Sequence, residues 1–395
     1  MDVRNNKSIK ILIHWPRFGP YHIARLNAAH DHLLSYNIQV TGMEIASQDE
    51  TYRWSISENE SRFDHRVVFP HKVVEKIRCV EIYRGVFSAL GEIRPDVIAV
   101  NGYSTSDAWA IFLWSKLNRR KTILMMDSKA DDGPRLFVKE ILKKTFIRNY
   151  DASICGGQLH KSYLVQLGMN MDKIFMGYDV VDNNYFYQQA AIIRKDPSNY
   201  HNLPGLDSST PCFLASSRLI PRKNIAGLLD SYRIYQELVA QSEQSGIPWR
   251  LVILGDGAER KNLEIKINAE ALSGVTLAGH REIGELPAYY AHSSVFIHPA
   301  LNDQWGLVVN EAMASGLPVL VSKRCGCVPE LVRSAENGFV FDPENTRELA
   351  ELMFYVSSHQ INLGAMGQSS LEIISEWGTE RFAKGILDSI NTMMS

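Results

Sequence analysis

Short apolar runs alternate with longer amphipathic stretches along most of this chain. Runs at 9–14, 38–46, 95–100, 122–126, 151–155 and 173–176 read as strands, and positions 67 and 68 belong to another. Between them, apolar residues recur at helical spacing up to about 33, over 75–93, 107–117 and 136–148, and up to about 167. The same grammar returns at 212–216, 249–254, 275–278, 295–298 and 319–322, with helices over 225–239, 286–292, 306–315, 347–356 and 379–394. Strands that are apolar throughout, each followed by a helix, predict parallel sheets covered on both faces. Residues 188–211 break the pattern with Pro197, Pro204, Gly205 and Pro211. The expected division is therefore a first domain over 1–187, a linker over 188–211, a second domain over 212–375 and a terminal helix within 376–395.

The densest chemistry lies in the unit strand–turn–helix–strand over 295–322. Gly306 opens the helix, so a ligand can approach the amides of Gly306, Leu307 and Val308 closely. Those amides and the helix dipole favour an anion, most naturally a phosphate. Glu311 lies one turn deeper on the same face, where its carboxylate can accept bonds from neighbouring sugar hydroxyls. Asp303 stands at the tip of the preceding turn. Phosphate, ribose and a second sugar in that order describe a nucleotide-sugar. Spacing alone leaves a plain reading open, with Glu311 an ordinary helix residue.

The run from Gly306 through Val319 carries Gly-Leu followed by Glu-Ala-Met-Ala-Ser-Gly-Leu-Pro-Val, and Asp303 and Glu311 form acid-x7-Glu. It resembles the nucleotide-sugar signature of the retaining glycosyltransferases of family 4. Asp303 departs from it by one methylene, since the family usually has Glu. The resemblance implies the GT-B fold, two doubly wound Rossmann-like α/β domains facing each other across a cleft. It also implies that Arg218 and Lys223, spaced as in the family's Arg-Leu-x-x-x-Lys, neutralise the departing diphosphate, with Asp303 at the donor sugar and Glu311 on the ribose. Gly255, Asp256 and Gly257 fall where the family keeps a Gly-x-Gly near the nucleotide, and His280 ends the strand beside the base. Gly255-x-Gly257 has no third glycine at dinucleotide spacing, which argues against a nicotinamide site. The resemblance is close over about 212–345 and looser before it.

On the first domain, Gly19 and His22 occupy the loop that such enzymes bring to sugar and acceptor. His22 is weighed equally as a helix cap or packed side chain. Asp127, Ser128 and Lys129 stand at a strand's C-terminal end, where the family often places a sugar-contacting His that this chain lacks.

Composition adds limits. The net charge of −2 gives no bulk attraction to nucleic acid. The apolar run at 108–114 is too short to span a bilayer, and residues 1–10 have no signal-peptide core. Five cysteines, odd in number and scattered, fit a reduced cytosol. Cys325 and Cys327 have no neighbouring His or Cys at metal-site spacing and read as small loop residues. Residues 116–148 hold ten Lys/Arg against four Asp/Glu, a local balance of +6. That basic stretch is either a solvated face or a surface for peripheral docking on an anionic membrane.

The expectation is a cytoplasmic, metal-independent, retaining hexosyl-type transferase of polysaccharide or glycoconjugate synthesis. It would take a UDP- or GDP-type sugar and a hydroxyl acceptor, without a cofactor. A sugar-nucleotide epimerase and a non-catalytic nucleotide-sugar-binding subunit remain as alternatives.

Overall fold

The computed structural model describes residues 8–50, 61–133, 137–200, 202–206, 210–242, 247–358 and 360–394. The start of the chain, residue 136 of the basic helix and parts of the 188–211 tract lie outside them. The chain divides into two compact units, one of Met1–Asp182 with Trp377–Ser395 and one of Asn183–Glu376.

The first unit holds seven parallel strands: β1 (Ile9–Trp15), β2 (Ile38–Gln48), β3 (Asp64–Val73), β4 (Val97–Asn101), β5 (Lys121–Met126), β6 (Ala152–Cys155) and β7 (Ile174–Met176). Their order is β3-β2-β1-β4-β5-β6-β7. Alternation along each strand divides its apolar run between two cores. Ile11, Ile13, Val97, Ala99, Ile123 and Met125 face one; Leu12, Ile98, Val100 and Leu124 face the other. The helix Thr379–Met394 belongs to this unit. Its Phe382, Ala383, Ile386, Leu387 and Ile390 recur at helical spacing and complete the first of those cores.

The second unit holds β8 (Cys212–Ser216), β9 (Arg250–Leu254), β10 (Val275–Gly279), β11 (Val295–His298), β12 (Val319–Ser322) and β13 (Gly338–Phe341), all parallel, in the order β10-β9-β8-β11-β12-β13. Phe213, Ala215, Leu251, Ile253, Val295 and Ile297 pack against the helix Ile225–Gln241 through Leu228, Leu229, Tyr232 and Tyr235. Successive strands run outward from β8 on one side and from β11 on the other. The order therefore reverses between β8 and β11, which is where ligands bind in open parallel sheets.

The 188–211 tract differs from its expected role as a linker. The division falls at Asp182/Asn183, and residues 188–195 continue the helix Asn183–Lys195 of the second unit. The prolines start only at Pro197, so nothing in residues 188–195 opposes a helix that buries Phe186, Ala190 and Ile193.

Candidate active site

Three loops at the C-terminal ends of β9, β8 and β11 are joined by backbone hydrogen bonds. Leu219 N donates to Asp256 O (2.9 Å), Glu259 N to Leu219 O (3.0 Å) and Leu301 N to Arg222 O (2.9 Å). Gly255 permits the first junction: a Cβ there would lie 1.8 Å from the Ser217 carbonyl oxygen. Arg218, Lys223, Gly255, Asp256, Gly257 and Asp303 are thus drawn to one end of the sheet, around its switch point. His280, ending β10, is joined less tightly; it is exposed and lies 3.6 Å from Glu282.

Lys223 donates to Asp303 Oδ2 across 80 residues of sequence. His298 Nε2 lies 2.7 Å from the same oxygen, and Cys325 sits beside His298. Asp303, at the turn before the helix, is buried. The turn folds onto the loop after β12, with Gly326 N donating to Asp303 O (3.1 Å) and Cys327 N to Trp305 O (3.2 Å). Burial by itself would raise the Asp303 carboxyl. The His298 hydrogen bond and the charges of His298 and Lys223 outweigh it and hold Asp303 well below the usual carboxylate range. Burial likewise opposes charge on His298, yet its bonds to Asp303 and Cys325 push it up to about 9. The Cys325 thiol, bonded to Cys327 and His298, is lowered to about 6 despite its burial; burial pushes Cys327 well up. The reading of Cys325 and Cys327 as partnerless loop residues is therefore corrected. Their sulfurs are 3.5 Å apart, and the fold supplies the His that local spacing lacked.

Gly306 caps the helix Leu307–Ala314 at φ +93°, a left-handed conformation that favours glycine. A Cβ on it would approach Cys325 Sγ to 2.8 Å and His298 Nε2 to 3.3 Å. The amides of the first turn, including Leu307 and Val308, have no acceptors within the helix. Glu311 is buried on that helix, and the Tyr290 hydroxyl donates to its Oε2 at 2.7 Å. Trp305 Nε1 donates to Asn310 Oδ1 at 2.9 Å, fastening the turn to the helix.

The first unit treats its candidates differently. Gly19 N donates to His22 Nδ1 (2.8 Å), and the imidazole lies 4.7 Å from the Trp15 ring. Gly157 N and His160 Nδ1 repeat the bond at 3.0 Å, so Gly-x-x-His serves twice as a clasp at the start of a helix. Burial, with Arg25 and Arg17 nearby, lowers His22 to about 3, leaving the ring neutral at pH 7. Lys129 is buried with its ammonium on Asp131 (2.8 Å) and Asp132 (3.3 Å), while Asp127 and Ser128 are half-buried beside it.

Sequence reasoning missed His298, Cys325, Tyr290, Trp305 and Asn310. His298 ends a strand five residues before Asp303, which was the one local signal; Tyr290 had none.

The geometry agrees with the similarity to known proteins. Residues 198–370 match the glycosyl transferases group 1 family. This segment resembles a group 1 glycosyltransferase domain. The chain is 36% identical over 103 residues to the sulfoquinovosyl transferase SQD2 of Arabidopsis thaliana, covering 25% of this chain and 19% of that protein. It spans less than half the length of the curated relatives it matches. A glycosyltransferase from Rickettsia africae shares the fold at TM-score 0.75 and 14% identity, covering 99% of this chain and all of that one. Anabaena HepE, solved with UDP and glucose, follows at 0.70 and 19%, covering 97% and 99%. Those likenesses establish the two Rossmann-like units of GT-B proteins; the group 1 segment holds the whole Lys223–Asp303–Gly306–Glu311 constellation.

Proposed function

We propose that the chain transfers a sugar from a nucleoside-diphosphate sugar to a hydroxyl acceptor with retention at the anomeric carbon. The observation that carries this reading is the Lys223–Asp303 contact before the Gly306 helix mouth at the switch point of the second sheet, with Arg218 in the same loop as Lys223. A fixed ammonium, an arginine on the same loop and the first-turn amides suit a diphosphate whose charge grows as the glycosidic bond breaks. They can carry that charge without a catalytic metal. The anomeric carbon's bond to the phosphate oxygen breaks, and its bond to the acceptor oxygen forms on the same face. The acceptor proton passes to the leaving phosphate. Asp303 positions the Lys223 ammonium for this, and Glu311, steadied by Tyr290, takes the ribose.

UDP is the first nucleotide to test, because HepE on the same fold holds it; GDP and ADP complete the set. A nucleotide that binds the folded state raises its melting temperature by mass action. The expected result is a rise with one of the three that is lost in Lys223→Ala. No rise with any of them would overturn the donor site. Turnover of the donor sugar without an acceptor would instead favour an epimerase.

Docking on an anionic membrane is a second element of the proposal, favoured by exposed apolar side chains beside basic ones. Trp109, Leu113 and Leu117 are exposed on the helix Ser106–Leu117, and Ile141 and Leu142 on Phe137–Ile147. The ring of Trp109 meets Phe146 at 4.0 Å, joining the two helices. Among the described residues, no helix is long and apolar enough to cross a membrane.

A further inference from the structure

The side chains of His298, Asp303 and Cys325 meet in a way the transfer chemistry does not require. Their donor atoms all lie within 4.8 Å of one another, and each residue is buried. They come from three backbone positions: the end of β11, the turn before Gly306 and the loop after β12. That turn and loop are already tied to each other by the Asp303–Cys325 bridge and the bonds from Gly326 and Cys327. Rigid backbone thus presents the three donors together. Cys327 Sγ, 3.5 Å from Cys325 Sγ, adds a second sulfur.

We propose that His298, Asp303 and Cys325, with Cys327 as fourth ligand, bind a divalent cation of the zinc type. One imidazole nitrogen, one carboxylate oxygen and two sulfurs are the donors that tetrahedral zinc takes. Two sulfurs are wrong for magnesium or calcium, which demand oxygen. Binding detaches His298 Nε2 from Asp303 Oδ2. Lys223 then keeps only the carboxylate's remaining valence, so the ion sits directly behind the helix mouth. Gly306 is what leaves it room: the Cys325 sulfur lies 2.8 Å from where a Cβ would stand. The site does not rest on the transfer reading, since metal content is measured without any sugar nucleotide.

The test loads the full-length protein with Zn(II) or Co(II), removes unbound metal by gel filtration and measures what stays. The expected outcome is about one zinc per chain, a higher melting temperature and, with cobalt, the thiolate-to-metal charge-transfer absorption of tetrahedral thiolate coordination. Cys325→Ser should lose that absorption, Cys327→Ser should weaken it, and Cys155→Ser should leave it unchanged. Excess Mg(II) should displace nothing. Wild-type protein that retains no metal, or a cobalt complex without thiolate absorption, would overturn the proposal. Both readouts use unmutated protein and so survive a variant that fails to fold. An unchanged spectrum in folded Cys325→Ser would overturn it equally.

Discussion

After β1 the chain turns through Trp15 and Gly19 into a helix; after β11 it turns through Asp303 and Gly306 into another. These two strand-to-helix turns share their topology and are built from opposite materials. At the first, a neutral imidazole takes the Gly19 amide and packs on Trp15. At the second, the carboxylate before the helix meets an ammonium and an imidazole, and the imidazole meets a thiol. Gly19 is extended, at φ −126°, and any residue could adopt that backbone; Gly306 is left-handed and pressed against Cys325 and His298. A strand followed by a glycine-led helix is thus no anion site by itself. What makes one is fixed cationic charge beside amides whose hydrogen-bonding capacity is unused.

The largest expected effect separates the cations at the second turn from those of the first unit. Lys223→Ala and Arg218→Ala should lower kcat by about two to three orders of magnitude, as loss of an oxyanion-type donor does. Asp303→Asn should resemble them, because it frees the Lys223 ammonium. Lys129→Ala should change kcat far less, its ammonium being held by Asp131 and Asp132. Steady-state kinetics with varied donor decide this. Near-normal turnover in Lys223→Ala would erase the contrast.

A smaller effect is expected within the Gly306 helix. Glu311→Ala removes ribose contacts that barely change between ground and transition state, so KM for the donor should rise more than kcat falls. It also removes the hydrogen bond from the buried Tyr290 hydroxyl to Glu311, a loss of roughly 1–3 kcal/mol in chemical denaturation. Tyr290→Phe should cost less, because both oxygens of Glu311 remain to accept from the ligand. Equal kcat losses in Glu311→Ala and Lys223→Ala would contradict the division of labour.

The two histidines should give pH profiles of opposite sign. His22 is lowered to about 3 from 6.5, so below pH 6.5 the unfolded chain binds its proton and the folded chain does not. Stability should fall as pH drops from about 6.5 toward 3, and His22→Phe should flatten that limb. In metal-free protein His298 is raised to about 9, so its contribution is complete below pH 6.5 and lost as pH rises through 9. Cys325, lowered to about 6 from 9, gains stability over the same range and offsets that loss. Cys325→Ser should therefore uncover an alkaline decline that wild-type protein hides. Denaturant midpoints across pH read both limbs, and limbs of the same sign would sink the comparison.

The smallest expected effect is binding of the first unit to anionic vesicles, released by salt because the attraction is screened. Equal partition to neutral vesicles would reduce the Trp109–Leu142 surface to a solvated face.

Much of the fold was legible because strand and helix periods are local properties. Buried parallel strands announced themselves at Ile11–Ile13, Val97–Val100 and Val295–His298, and their alternation fixed which side chains share a core. The 188–195 helix was misjudged for a reason equally local: the prolines that suggested a linker begin only beyond its last turn. The Gly306–Val319 run was legible too, because its glycine, acid and helix stop act within one turn–helix unit. Strand order was not. It puts β8 between β9 and β11, and so carries Lys223 to Asp303 across 80 residues and Cys325 to His298 across the loop after β12. By itself, the sequence determined elements, faces and the glycine-led helix mouth, since each depends on neighbours within a few residues. Only the tertiary structure decided that Asp303 is buried between two cations, that His22 is a neutral clasp and that Cys325 meets both a histidine and Cys327. Charge state and coordination depend on which groups are brought within a few ångströms, and the chain's own spacing does not encode that distance.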